Sequence, residues 1–139
     1  MSRNLQHLHP DMRPLVEDFI HACAKAGIEL LVTCTWRSAA EQDALYAQGR
    51  TVPGKIVTNA RAGQSMHNNT VAGMPASLAV DVVPMVNGKP VWSVANPIWS
   101  DIGLRGEFAG LEWAGRWKRF REFPHFQHPQ AKALQGAKP

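Results

Sequence analysis

Between Asp11 and Ala26 the apolar residues Leu15, Val16, Phe19, Ile20 and Cys23 recur at helical spacing on one face, and Gly27 stops the run. The spacing predicts a helix. The period then changes: Ile28 to Thr35 is short and rich in β-formers, which predicts a strand. Ser38-Ala-Ala-Glu41 is a capping box, in which a hydroxyl and a carboxylate satisfy amides left free at a helix start. That helix is predicted to run to about Gln48, before Gly49. Arg37 therefore falls at a strand-to-helix junction, where a side chain is held rigidly and stays accessible. Residues 50–77 carry turn and loop chemistry, including Pro53-Gly54 and Gly73. Leu78 to Val86 reads as a second strand, Asn87-Gly88 as a hairpin turn and Lys89 to Trp92 as its return. Ala95 to Phe108 is predicted helical, with short strands at Leu111–Trp113 and His125–Gln127. Helices and strands mix without a repeating βαβ rhythm, which makes the expected class α+β.

With 139 residues and no repeat, low-complexity tract or linker, the chain is expected to form one domain over 1–139, acting as a monomer. A hydrophobic fraction of 45% and a charged fraction of 19% are those of a folded globular protein. No apolar run approaches the roughly 20 residues of a membrane span, so no membrane partner is expected. The opening MSRNLQHLHPDMRP lacks the pattern of a secretory signal. It leads to the expectation of a cytoplasmic product until something else releases it. Cys23 and Cys34 are too few for a disulfide scaffold, and neither lies at ligand spacing from a histidine; both read as small buried hydrophobes. The net charge is +4, and from Arg105 onward seven Lys/Arg stand against three Glu. Such a patch suits a polyanion, whether nucleic acid or an anionic cell wall. An ordinary solvated basic face accounts for it as well, so charge does not choose the partner. No nucleic-acid motif is present, and nucleic acid is not expected as a partner.

Of six histidines, His7 and His9 fall in an N-terminal segment expected to be loose, and His21 on the exposed side of the first helix. The others are His67, His125 and His128. A catalytic zinc site needs about three protein ligands and an open position. Asp81 lies one loop beyond His67, inside the apolar strand Leu-Ala-Val-Asp-Val-Val, where a carboxylate is expensive unless paired or bound to a metal. A strand-end Asp with local hydrogen bonds explains the same residue. In Glu122-Phe-Pro-His125 a carboxylate and an imidazole three apart can set a general base beside the water of a metal site. Alone, that spacing is weak; with His67, Asp81 and Arg37 it is far harder to produce by accident.

Gln64-Ser65-Met66-His67, then Ala79-Val80-Asp81, then Glu122-x-x-His125 together resemble the M15 family of zinc D-Ala-D-Ala peptidases and phage L-alanyl-D-glutamate endolysins. The family pattern is S-x-H-x-x-G-x-A-x-D, followed far downstream by E/D-x-x-H. Thr35-Trp36-Arg37-Ser38, with Gln42 a turn later, is similar to the family's substrate-binding arginine region. Gly110 to Lys118 is similar to the segment before the last ligand in the phage enzymes. The resemblance covers roughly residues 28–128. It implies a hedgehog/DD-peptidase-like fold, a small antiparallel sheet flanked by helices. It implies Zn2+ held by His67, Asp81 and His125, with Glu122 as catalytic base and Arg37 and Ser65 touching substrate. The implied activity is hydrolysis of a peptidoglycan stem peptide by a phage or prophage endolysin with L-alanyl-D-glutamate endopeptidase activity. The alternatives are a D-alanyl-D-alanine carboxypeptidase and a zinc-bearing wall-binding module without activity, against which Glu122 argues. Two departures stand out. His67 and Asp81 are fourteen residues apart where the family has seven, the excess forming a hairpin-like excursion over 69–77 that could wall off one side of the site. Ala114 and Arg116 replace a glycine and an acidic residue common in relatives. His128 is left outside the metal set. Trp36 and Trp117 are the tryptophans expected to line the cleft.

Overall fold

The computed structural model describes residues 1–136, so the last three positions of the predicted 1–139 domain lie outside the described residues. Helix α1 (Arg13–Lys25) buries Val16, Phe19 and Cys23, the face read from the apolar spacing. It starts at Arg13 rather than Asp11, with Pro14 in its first turn. Strand β1 (Glu29–Cys34) leads to α2 (Ala39–Ala47), whose start carries the predicted capping box: Ser38 Oγ accepts from Glu41 N–H and Glu41 Oε1 from Ser38 N–H. The expected excursion is a two-stranded hairpin of β2 (Thr70–Val71) and β3 (Met74–Pro75). Strand β4 (Ala79–Val86) turns through Asn87 and Gly88, both at positive φ, into β5 (Lys89–Pro90). Helix α3 (Ile98–Phe108) begins three residues later than predicted, since Pro97 cannot extend a helix backwards and Asn96 Oδ1 accepts the Ile98 N–H at 3.0 Å. Strands β6 (Glu112–Trp113) and β7 (His125–Gln127) and a short helix α4 (Ala131–Leu134) follow.

The main sheet is antiparallel with order β1-β4-β7-β6, and β5 hangs on β4. The expected α+β class is the one observed. Side chains alternate across β4 and β7. Val80, Val82 and Phe126 point into the core beneath α1 and α3, while Asp81, His125 and Gln127 take the opposite face. Phe126 packs against Phe19 at 4.6 Å between ring centroids and stacks on Trp113 at 6.2 Å. Helix α3 approaches these rings closely because it presents glycines. A Cβ on Gly103 would come within 2.4 Å of the Trp113 ring, and one on Gly106 within 2.4 Å of Phe126.

The N-terminal segment corrects an expectation: it is docked, not loose. Ser2 exchanges backbone hydrogen bonds with Trp36 O and Thr35 N, His9 N–H reaches Ser77 O, and Leu8 and Met12 are buried in the main core. Among the described residues no helix is long and apolar enough to cross a membrane.

Candidate metal centre

Register brings the candidate residues together. Asp81 on β4 is paired with Cys34 on β1 and with His125 on β7, a row across three strands. The β1–β4 ladder slips by one residue between Val32 and Cys34, a bulge of the kind that re-aims side chains beside sites. His67 arrives from outside the sheet, on a 3-10 turn at Met66–Asn68 capped by Ser65, whose Oγ accepts from His67 N–H at 3.2 Å. Glu122 opens a turn closed by the His125 N–H on Glu122 O, which leaves its Oε2 3.8 Å from His125 Nδ1.

His67 Nε2 lies 3.1 Å and His125 Nδ1 3.2 Å from the same oxygen, Asp81 Oδ1. The opposite nitrogen of each ring faces a fixed acceptor. His67 Nδ1 donates to the Thr35 carbonyl at 2.8 Å, and His125 Nε2 to Gln127 Oε1 at 2.9 Å. A carbonyl can only accept, so both ring protons are drawn outward and both lone pairs converge on a carboxylate. Nitrogen lone pairs aimed at a carboxylate oxygen are repulsive unless a proton or a metal cation joins them. Ligands in a tetrahedral zinc site sit at ~2.0–2.1 Å from the ion and so roughly 3.3 Å apart. The two distances to Asp81 Oδ1 are of that order and the donors suit zinc. Among the described residues the three whose ligand atoms all lie within 4.8 Å of one another are Cys34, His67 and Asp81, with His125 joined to them through Asp81. Burial, the largest single influence, opposes a charge on His67. The Asp81 carboxylate, its hydrogen bond and the neighbouring Cys34 together outweigh it and lift His67 to about 10. Burial likewise pushes Asp81 up, but His67 and His125 hold it well below the usual carboxylate range.

Arg37 is held rigidly, as its junction predicted, but it is almost fully buried rather than accessible, because Gln42, Asp81 and Met1 close around its guanidinium. Its Nη1 donates to Gln42 Oε1 at 2.9 Å, its Nη2 lies 3.8 Å from Asp81 Oδ2, and its Nε meets the Met1 sulfur. Gln42, fully buried, is fixed in turn by the Ala60 carbonyl at 2.7 Å. All six predicted site residues line one cleft of about 1010 Å³. Glu122 stands at its edge with 47% of its side chain exposed; burial of the remainder pushes its acid above the ordinary carboxylate value, against the pull of His125. A smaller depression of about 350 Å³ between α1 and α3 is lined by Asp18 and Arg105 and gathers no comparable chemistry.

Several details were missed or misplaced from sequence. Cys34 is buried as expected, yet its Sγ lies 3.6 Å from His67 Nδ1; strand pairing, not sequence spacing, puts it there. Gln127, which sets the His125 tautomer, could have been found by asking which residue shares its strand face two positions on. Trp117 lines the cleft with its ring 5.6 Å from His125, whereas Trp36 points away and donates to Asn69 O at 3.1 Å. The excursion at 69–77 contributes nothing to the cleft lining. It is tied to the N-terminal segment through Ser77 and to Gly136 through Asn69. His128 Nδ1 accepts from Gln130 N–H at 3.0 Å and stands outside the cluster.

Known proteins resemble this chain in sequence and in fold. Two family models, both described as D-alanyl-D-alanine carboxypeptidase, match residues 5–84 and 58–128. The peptidoglycan L-alanyl-D-glutamate endopeptidase CwlK of Bacillus subtilis is 35% identical over 128 residues, covering 86% of this chain and 72% of its own length. The crystal structure of the Serratia marcescens L-Ala D-Glu endopeptidase ChiX superposes with a TM-score of 0.66 at 23% identity, over 95% of this chain and 90% of that one. A mutant of the vancomycin-resistance D,D-pentapeptidase VanY, solved with Zn(II), gives 0.62 at 15% identity over 91% and 77%. The chain belongs to the M15 family of zinc metallopeptidases, the class of enzyme its fold and centre define.

Proposed function

We propose that this peptidase acts on peptidoglycan and cuts the stem peptide between L-Ala and D-Glu, with zinc held by His67, Asp81 and His125. The observation that carries the reading is the convergence of two tautomer-fixed imidazoles on Asp81 Oδ1, with Glu122 3.8 Å from His125 at the cleft edge. Bound there, zinc would supply Lewis acidity towards water and the substrate carbonyl. Glu122 accepts the proton of the attacking water and delivers it to the leaving amine, so the two halves of the reaction share one carboxylate. Arg37, locked by Gln42, presents its guanidinium where the carbonyl oxygen gains charge or where a substrate carboxylate is gripped. Ser65 holds the His67 turn by its oxygen and keeps its hydroxyl proton for a substrate carbonyl.

The choice of an internal bond is supported by the CwlK similarity and by the placement of the 69–77 hairpin outside the cleft lining, so that this excursion does not wall off the site. Removal of terminal D-Ala is the second reading, favoured by the description of the family models and by the fit of Arg37 to a terminal carboxylate. The lytic setting, a phage or prophage product released to the wall, rests on the likeness of Gly110 to Lys118 to phage enzymes. Digesting intact sacculi and tagging new amino termini separates the two bonds. New D-Glu amino termini are expected; free D-alanine without new stem termini would overturn the endopeptidase reading.

A further inference from the structure

The cleft distributes its charge unevenly. Of its lining side chains, the carboxylates are Asp81 and Glu122, and both are engaged at the metal cluster: Asp81 with His67, His125 and Arg37, Glu122 with His125. The stretch of lining from Leu45 to Ala60 contributes apolar, hydroxyl and amide groups and no charge. The stretch from Trp117 to Lys132 brings two further cations, Arg121 and Lys132. Among the described residues neither has a carboxylate partner, in contrast to Arg105 and Arg116, which pair with Asp101 and Glu107. Arg121 is nonetheless tethered. Its Nε donates to Trp117 O at 3.3 Å and its guanidinium lies 6.0 Å from the Phe123 ring, and among the described residues its two terminal nitrogens make no hydrogen bond. A guanidinium held by its inner nitrogen and ring face, with its outer fork open, is arranged to receive a planar anion.

We infer that the cleft is built for an acidic stem peptide, and that Arg121 and Lys132 bind a free carboxylate on the substrate separate from the group held by Arg37. Resting on the reading of this cleft as a stem-peptidase site, the inference names the substrate class. Stems whose third residue carries a second free carboxylate, as diaminopimelate does, are preferred over stems with lysine or with that carboxyl amidated. The general attraction of a basic protein to an anionic wall does not predict this, because it does not distinguish one stem peptide from another.

The test uses three peptides, L-Ala-γ-D-Glu followed by diaminopimelate, by its side-chain amide, or by lysine. Dissociation constants are measured by calorimetry on zinc-loaded E122Q protein, so that binding is read apart from turnover. The free-carboxylate peptide is expected to bind at least ~10-fold tighter than either other peptide, as a charge-assisted pair affords. The advantage should shrink as salt is raised. It should vanish when Arg121→Gln and Lys132→Gln are added together, and survive Arg121→Lys in part. Both side chains are exposed, and circular dichroism with zinc content establishes that the variants fold. Equal affinities for the three peptides, or an advantage that persists without both cations, overturns the inference. Product analysis of the active protein decides the cleaved bond separately, so a wrong bond and a wrong carboxylate site give different results.

Discussion

Glu122 and Gln127 both act on His125, and removing each should do something different. Glu122→Gln keeps shape and hydrogen-bonding capacity but cannot take a proton. The expected result is a fall in kcat of ~10²–10⁴ with zinc content unchanged in metal analysis. Loss of zinc would instead make Glu122 a ligand. A carboxylate accepts a proton only when ionised, and that of Glu122 is raised above its ordinary value. Activity is therefore full above the raised value and falls as pH drops through it, so the acid limb of kcat/KM should lie higher than a free glutamate would place it. Because nearly half of the side chain is exposed, solvent keeps that displacement modest. Residual turnover of the Gln variant should lack the limb. Gln127→Leu removes the acceptor that holds the His125 proton outward and should weaken zinc ~10–100-fold in chelator competition while leaving the fold intact. Unchanged affinity would mean that another group sets the tautomer.

At the level of elements, β7 carries structure and chemistry on opposite faces. Phe126 fills the core between His125 and Gln127 of the proposed zinc site, so pressure on the core is expected to reach that site. Gly106→Ala would drive a methyl into the Phe126 ring, and a destabilisation of ~1–3 kcal/mol is expected in denaturant titration, together with weaker zinc binding. Leu104→Ala, on the exposed side of the same helix, should leave both nearly unchanged. Elements of this kind were largely legible in advance. The apolar face of α1, the capping box of α2, the Asn-Gly turn after β4 and the limits of β7 all follow from local rules. Asp81 could be picked out because a charge inside an apolar strand demands a partner. The row Cys34–Asp81–His125 could not, since strand pairing joins residues far apart in sequence and the bulge in β1 shifts one of them. Gln42 was legible as a neighbour of Arg37 but not as the buried amide that fixes it.

Across the whole molecule, the N-terminal segment was misread because it docks through backbone hydrogen bonds and isolated anchors, which leave no periodic trace. Leu8, Met12 and α1 share one core. Leu8→Ala should cost ~2–5 kcal/mol of stability by thermal or denaturant unfolding. An effect under ~0.5 kcal/mol would return the segment to a loose tail. The position of the 69–77 hairpin was equally hidden: its turn residues foretold its shape, but its ties, through Ser77 to His7 and His9 and through Asn69 to Gly136, are long-range.

The two imidazoles are secured by unequal means. His67 leans on the carbonyl of Thr35, a group that every amino acid carries, so no substitution at position 35 can delete it. His125 leans on the side-chain amide of Gln127, which one nucleotide change can remove. Genetic drift therefore meets a protected half and a vulnerable half within one centre. In a library of random variants, inactive clones that still fold should gather around β7 rather than around position 35, because there a single coding change reaches the chemistry without first disturbing the backbone.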